Sequence, residues 1–229
     1  AHDFNNLLTI MRASADFLCQ PDLSEDRRRR YVDALSEAVE RGTALVRQLL
    51  AFARREPLQA EVFDAAQCAL RLVDGLRSVV GPGIKVVADL PERPCWVSTD
   101  VAQFESAIIN LAVNARDAMN GEGTLIIRVA AGPAPPNSIQ GTAVAVSVSD
   151  TGIGIPPDKL QQVFEPFFTT KGPGKGTGLG LSQVYGYIKE SGGDVRVASA
   201  PGEGAVFTLY LPQIEAPEKQ DPVRESIDR

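Results

Sequence analysis

The amino-acid sequence predicts an α + α/β protein: an N-terminal helical hairpin followed by a two-layer α/β sandwich. Three observations carry this. Apolar residues recur every three or four positions from Phe4 to Leu18 and again from Tyr31 to Phe52, the spacing of one helical face. Glu56-Pro57 ends that pattern, because proline disfavours helix in the residue before it. Beyond it, short β-rich runs alternate with helical stretches, the arrangement of helices laid on a sheet. The boundaries predicted are residues 1–56 for the hairpin, 57–212 for the sandwich and 213–229 for a disordered linker or tail.

The first helix carries Phe4, Leu7, Leu8, Met11, Ala15 and Leu18 on one stripe. Gln20-Pro21-Asp22-Leu23-Ser24 breaks it, and Ser24 caps the next helix with Glu25 and Asp26 in its first turn. That second helix, expected to run to about Arg55, has the stripe Tyr31, Leu35, Ala38, Ala44 or Leu45, Leu49 and Phe52. At about 30 residues it is roughly 45 Å long. A lone hairpin cannot cover a two-sided stripe, so a symmetric dimer forming a four-helix bundle is expected. The Arg27 to Arg30 run reads as a solvated face. A helix starting at the second residue suggests a piece of a longer protein.

In the second part, Val62-Phe63 reads as a strand and Ala65 to Val80 as a helix. Gly81-Pro82-Gly83 turns the chain into a strand at Ile84 to Ala88, and Cys95 to Val97 is another. A helix over Asp100 to Met119 follows, then two long strands, Thr124 to Ala130 and Thr142 to Ser149, joined by a loose loop from Gly132 to Gly141. A last helix, Leu179 to Ser191, precedes strands at Val195 to Val197 and Ala205 to Leu211. Antiparallel neighbours with helices on one face are expected. The tail is polar and charged, with Pro217 and Pro222.

Composition limits the function. A hydrophobic content of 44% with 23% charged residues is ordinary for a globular protein. The chain has no uninterrupted apolar run of roughly eighteen residues, the length that spans a bilayer, and no signal peptide is visible, so a cytoplasmic location without membrane contact is expected. A net charge of −6 argues against nucleic acid. Cys19, Cys68 and Cys95 are odd in number and irregularly spaced, which reads as reduced thiols. The single histidine, His2, rules out a zinc site built on several histidines.

The chemistry centres on Asn110-Leu-Ala-Val-Asn114-Ala-Arg-Asp117. Asn110, Asn114 and Asp117 are four and three apart, so they share a helical face. Ile108, Ile109, Leu111 and Val113 cover the opposite flank. Amides and a carboxyl set in a packed helix are costly unless satisfied. A magnesium ion carrying a nucleotide suits them, since Mg²⁺ takes oxygen ligands from one or two side chains plus water and phosphate. An Asn-rich helix end meeting water is the alternative.

Two glycine runs follow. Asp150-Thr-Gly152-Ile-Gly154 comes directly after a strand. Asp150 there can accept a hydrogen bond from an exocyclic amine, and Gly152 and Gly154 let the backbone approach a flat ring. Gly174-Lys175-Gly176-Thr177-Gly178-Leu179-Gly180 leads into a helix, whose first N–H groups can hold phosphate. A Walker loop would need Gly at position 169 and Ser or Thr at 176, where Thr169 and Gly176 stand; the dinucleotide spacing fails at Leu179. Between the runs, Phe164, Phe167 and Phe168 either anchor a flap with Gly172, Pro173 and Gly174 or belong to the core. Lys171 and Lys175 can neutralise phosphate or simply meet solvent.

Taken together these motifs resemble the sensor histidine kinases of two-component signalling, over residues 1 to about 212. Their catalytic part belongs to the GHKL-type ATPases, with gyrase, heat-shock chaperone and mismatch-repair relatives and a Bergerat-type ATP-binding sandwich. His2-Asp3-Phe4-Asn5-Asn6 is similar to the phosphoacceptor box, Asn110 to Asp117 to the asparagine box, Asp150 to Gly154 and Gly174 to Gly180 to the glycine boxes, and Phe164 to Phe168 to the phenylalanine box. The His-Asp-Phe-Asn-Asn wording resembles a subgroup often seen in hybrid kinases. The resemblance implies that His2 attacks the γ-phosphoryl of ATP as a neutral imidazole, a form histidine takes near neutral pH. Asp3 would be its base or orient its ring. Asn6 would position water to dephosphorylate a partner. Asn114 would hold Mg²⁺ with Asn110 beside it, and Asp150 would read the adenine amine. It implies the cofactors ATP and Mg²⁺, a homodimer, and a response-regulator receiver domain as partner. It also implies a hinge near Arg54 to Leu58 and a flap from about Asp158 to Thr177 that orders over nucleotide. The other readings are an idle dimeric scaffold docking a regulator, and an ATPase that does not phosphorylate itself.

Overall fold

The computed structural model describes residues 2–19, 23–53, 58–171 and 177–217, with side chains described for 9–19, 23–39, 42, 58–171 and 177–217. The chain divides into two compact units, Ala1–Pro57 with Pro166–Leu179, and Leu58–Glu165 with Gly180–Arg229.

In the first unit, α1 (His2–Leu18) and α2 (Glu25–Ala53) pack as a helical hairpin. Phe17 stacks on Tyr31 with centroids 4.9 Å apart and planes at 14°. Gly42 leaves room for Met11, whose Cε would lie 3.3 Å from a Cβ at position 42. Ala38 is buried, whereas Ile10, Phe17, Val32 and Val39 are 42–48% exposed. The first pair is seven residues apart on α1 and the second seven apart on α2, so each pair lies on one face.

The second unit is a two-layer sandwich. Its order is β1 (Glu61–Asp64), α3 (Ala65–Val80), β2 (Ile84–Asp89), β3 (Trp96–Thr99), α4 (Val101–Ala118), β4 (Gly123–Pro133), β5 (Thr142–Asp150), α5 (Gly180–Glu190), β6 (Asp194–Ser199) and β7 (Ala205–Pro212). The five-stranded sheet runs β2-β4-β5-β7-β6. One expectation, of antiparallel neighbours, needs correction. β2 runs parallel to β4, so the sheet is mixed. β1 and β3 form their own antiparallel ladder and do not join the main sheet. The β2–β4 connection holds β3 and α4, and a crossover of that length is what lets two strands run parallel.

One face of the sheet is closed by the helices. Leu125, Ile127, Val129, Val144, Val146, Val148, Phe207, Leu209 and Leu211 alternate along their strands and are all buried, the period of a half-covered sheet. From α4, Phe104, Ala107, Ile108, Leu111, Ala112 and Ala115 are buried, each larger aliphatic contributing about 1.5–3 kcal/mol. Ile109 and Val113, expected with them, are only half-buried. Phe104 meets Phe63 of β1 edge to face at 5.3 Å, which fastens the small ladder to α4.

Side-chain caps set the helix starts. The Asp64 carboxylate accepts from Ala66 N at 3.0 Å and from Cys95 N at 2.9 Å, starting α3 and pinning β3 beside it. Asp100 does the same for α4. Past β7, Gln213 N donates to Thr142 O at 3.1 Å and Ile214 N to Trp96 O at 3.0 Å. The first two residues expected in the loose tail are therefore held, and residues 218–229 lie outside those described. All three cysteines are free. Burial, then the Glu105 carboxylate, pushes the Cys68 thiol up to about 11. No described helix is long and apolar enough to cross a membrane.

Candidate functional site

Asn110, Asn114 and Asp117 are half-buried along one edge of α4. The two asparagines lie beside the start of α5: a Cβ at Gly180 would be 3.7 Å from Asn110 Oδ1 and 3.9 Å from Asn114 Nδ2. The amides thus face the positive end of an 11-residue helix, an end whose dipole favours an anion. Asp117 is placed differently from its two companions. Arg116 Nη2 and Nε donate to its Oδ1 at 2.8 and 3.0 Å, and Arg116 Nη1 donates to Val79 O at 3.2 Å. Its charge is therefore paired beside the asparagines, which lessens repulsion of a phosphate.

Asp150 ends β5 in phase with the buried residues Val144, Val146 and Val148, so the two-residue period of the strand brings a carboxylate to the helix-covered face. It is 7% exposed. Gly152 N donates to its Oδ1 at 2.8 Å. Burial pushes this carboxyl above the usual aspartate range, and the N–H groups of Gly152 and Ala205 pull the other way.

The loop after Asp150 is fixed at several points. Ile153 N donates to Ala118 O at 3.1 Å, and Gly202 N to Ile153 O at 2.8 Å. Ile155 N donates to Ser199 Oγ at 2.8 Å, and Ser199 Oγ in turn to Gly204 O at 2.6 Å. The Ile153 side chain itself is 66% exposed. Gly152 must lack a side chain, since a Cβ there would lie 2.7 Å from the Ala118 carbonyl carbon and oxygen. Gly154 has φ 70° and would drive a Cβ into the Ala200 carbonyl. Gly152→Ala is expected to destabilise the domain by about 2 kcal/mol, as overpacking does, lowering its melting temperature by roughly 4–8 °C. Thermal unfolding of the variant checks this, and an unchanged midpoint would show that the loop yields.

The remaining sequence-derived residues fall in three groups. The Phe164 ring packs on Tyr185 at 5.5 Å and on Phe207 at 6.2 Å, which ties the phenylalanine segment to α5 and β7. Residues 156–165 form successive turns, with Gln162 N donating to Lys159 O and Glu165 N to Gln162 O, both at 2.9 Å. Phe168, Lys171, Thr177, Gly178 and Leu179 belong to the other unit. There, Phe167 N donates to Gly178 O at 2.9 Å, and a Cβ at Gly178 would strike the Phe167 backbone at 2.4 Å if φ 66° allowed one. Thr177 Oγ1 accepts from Leu179 N at 3.4 Å. Lys175 and Gly176 lie outside the described residues, and so do the side chains of His2, Asp3 and Asn6, whose backbone is in α1. Arg116 and Ser199 were not singled out by the sequence.

Comparison with known proteins places the chain. The model of the family described as histidine kinase-, DNA gyrase B-, and HSP90-like ATPase matches residues 99–215, and that of the His Kinase A (phospho-acceptor) domain matches residues 1–58. The chain belongs to that ATPase family, with residues 99–215 as its ATP-binding domain. The chain thus carries a phospho-acceptor match N-terminal to this domain and is similar to sensor histidine kinases. It is 42% identical over 229 residues to the sensor kinase CckA of Brucella abortus, covering 96% of this chain and 24% of CckA. The chain spans less than half the length of the curated relatives it matches. The mycobacterial sensor histidine kinase MprB aligns with TM-score 0.55 at 25% identity, over 67% of this chain and 97% of that one. Full-length ShkA, solved in complex with AMPPNP, shares the fold with TM-score 0.62 at 24% identity, over 93% of this chain and 44% of its own.

Proposed function

We propose that this chain transfers the γ-phosphoryl group of ATP to His2 and then to an aspartate of a response-regulator receiver domain. Residues 1–56 serve as the dimerisation and phosphotransfer hairpin, 57–212 as the catalytic domain and 213–229 as a connecting tail. In the first step the bond between the β,γ-bridging oxygen and the γ-phosphorus breaks, and a bond from that phosphorus to an imidazole nitrogen forms. The attacking nitrogen is the unprotonated one of the neutral ring; ADP leaves, and the proton on the other ring nitrogen goes to Asp3 or to water. A protein has little covalent work in such a transfer, so positioning and charge compensation supply the rate.

The observation that carries this reading is the pairing of Asn110 and Asn114 with the N-terminus of α5, in a domain that also buries Asp150. Asp150 accepts the adenine amino group. Gly152 and Gly154 bring the backbone close to the ring. By their sequence pattern, the run Gly176, Thr177, Gly178, Leu179 and Gly180 is assigned to phosphate, Lys171 and Lys175 to neutralising its charge, and Phe164 and Phe168 to anchoring the flap. The side-chain amides beside Gly180 also fit a magnesium ion: Asn114, supported by Asn110, would supply protein oxygen and the nucleotide and water the rest. When bound, Mg²⁺ neutralises phosphate charge. The exposed Ile10, Phe17, Val32 and Val39 give the hairpin an apolar surface for a second copy.

Incubation with γ-labelled ATP tests the reading. Label is expected to stay on the protein and to be lost in acid, as an N–P bond is. Free phosphate without protein label would make the chain an ATPase, and neither product would leave a docking scaffold.

A further inference from the structure

We propose that Asp100 is a positioning residue that ties the chain arriving from the helical hairpin to the two helices of the nucleotide site. The inference rests on the kinase reading above, in which the phosphoryl group must pass from one domain to a histidine on the other.

Asp100 contacts three separate elements. Its Oδ1 accepts from Gln103 N at 3.0 Å, the ordinary cap of α4. Its Oδ2 accepts from Gln59 N at 3.2 Å, and Gln59 is the second residue of the catalytic unit. Its carbonyl accepts from Phe104 N at 3.0 Å, which opens the helical ladder, and from the Tyr187 hydroxyl at 3.5 Å. Tyr187 comes from α5 and is 5% exposed. Thr99 Oγ1 donates to the Tyr187 hydroxyl at 3.0 Å and lies 2.7 Å from Ser191 Oγ. Ser191 Oγ closes the set by donating to Tyr187 O at 2.9 Å.

This arrangement joins α4 and α5 through hydroxyl groups, and Thr99 among them is 1% exposed. The same two helices meet again where Asn110 and Asn114 face Gly180. Gln59 is bonded to the first of these junctions. A helix cap needs only one acceptor oxygen, which serine, threonine or asparagine supplies as well. A carboxylate offers two. The second oxygen of Asp100 is the one that fixes the entering backbone, and a cap alone does not call for it. Losing that bond leaves α4, α5 and the approach of Asn110 and Asn114 to Gly180 intact, but it frees the direction in which the chain enters the domain. Phosphoryl transfer depends on that direction, because in-line attack tolerates little misplacement.

Asp100→Asn keeps one cap oxygen and turns an amide toward Gln59 N–H. Gln59→Pro removes the donor and leaves Asp100 untouched. Both variants are expected to bind ATP within about twofold of the parent and to lose about three- to tenfold in the first-order rate of autophosphorylation. The double variant should lose no more than either single one, as expected when both changes delete one shared bond. Unchanged rates, a fall in ATP affinity that matches the fall in rate, or losses that multiply would overturn the proposal. If the parent chain takes no label at all, the kinase reading fails separately. Hydrogen exchange at the Gln59 amide then decides the anchor: slow exchange in the parent and fast exchange in Asp100→Asn supports it, and equal rates overturn it.

Discussion

Asn114→Ala is expected to abolish Mg-ATP binding, with a loss of at least about a hundredfold, while the chain stays folded. A divalent ion at a triphosphate is worth several kcal/mol of charge compensation, and about 2.7 kcal/mol already corresponds to a hundredfold in affinity. Asn114 supplies the proposed oxygen for that ion. The fold should survive because Asn114 is only half-buried, at the edge of the packed face of α4, and alanine is the better helix former. The His2→Ala variant is the necessary contrast. It should bind ATP as the parent does yet carry no label, because it loses the acceptor and keeps the pocket. Calorimetry with Mg-ATP and labelling with γ-labelled ATP separate the two. Full ATP affinity in Asn114→Ala would remove the metal assignment, and label persisting in His2→Ala would move the acceptor elsewhere.

The elements that make this contrast possible were readable for definite reasons. α3 and α4 announce themselves through helical spacing and an aspartate cap at Asp64 and Asp100. β4, β5 and β7 do so through strict alternation, which even carries Asp150 to the covered face. Strand direction is another matter. Nothing in Ile84–Asp89 marks it as parallel to β4, because direction is set by where the chain re-enters the sheet and not by the side chains of the strand. The separate β1–β3 ladder was hidden for the same reason, since both strands are four residues long and read like sheet edges.

Within the site, spacing showed that Asn110, Asn114 and Asp117 share a face, but not what the neighbouring turn does with the third. Arg116 claims Asp117 by a bond between adjacent residues, and the periodicity argument, which looks three and four residues away, does not see it. Ser199 is separated by 44 residues from the Ile155 N–H it accepts. Contacts of that kind depend on how β6 and β7 pack, and a local motif cannot reveal them. Asp100 was legible as a helix start, yet its bond to Gln59 depends on where the second unit begins.

Asp150→Asn is expected to weaken ATP binding by about thirtyfold, the equivalent of roughly 2 kcal/mol for a hydrogen bond to a charged group. The carboxylate already takes the Gly152 N–H on Oδ1 and is also bonded by Ala205 N–H, so asparagine, with a single acceptor oxygen, cannot satisfy the backbone and an adenine amine together. Acidity should distinguish this role from a purely structural one. Burial raises the Asp150 pKa above the ordinary aspartate value, so protonation begins at a higher pH than for an exposed aspartate. As pH falls through that raised value the acceptor is lost and ATP affinity drops. The folding contribution of the same group has the opposite sign. A carboxyl whose folded pKa is raised stabilises the native state below its unfolded pKa, and that contribution is lost as pH rises through the folded value. Acidification over this window should therefore relieve the buried charge of the unliganded domain while it weakens nucleotide binding. In Asp150→Asn both dependences should flatten, leaving the weak affinity independent of pH there. Binding curves for parent and variant over the window measure this directly. An acid limb that persists in the variant would place the titrating group elsewhere and take the adenine contact away from Asp150.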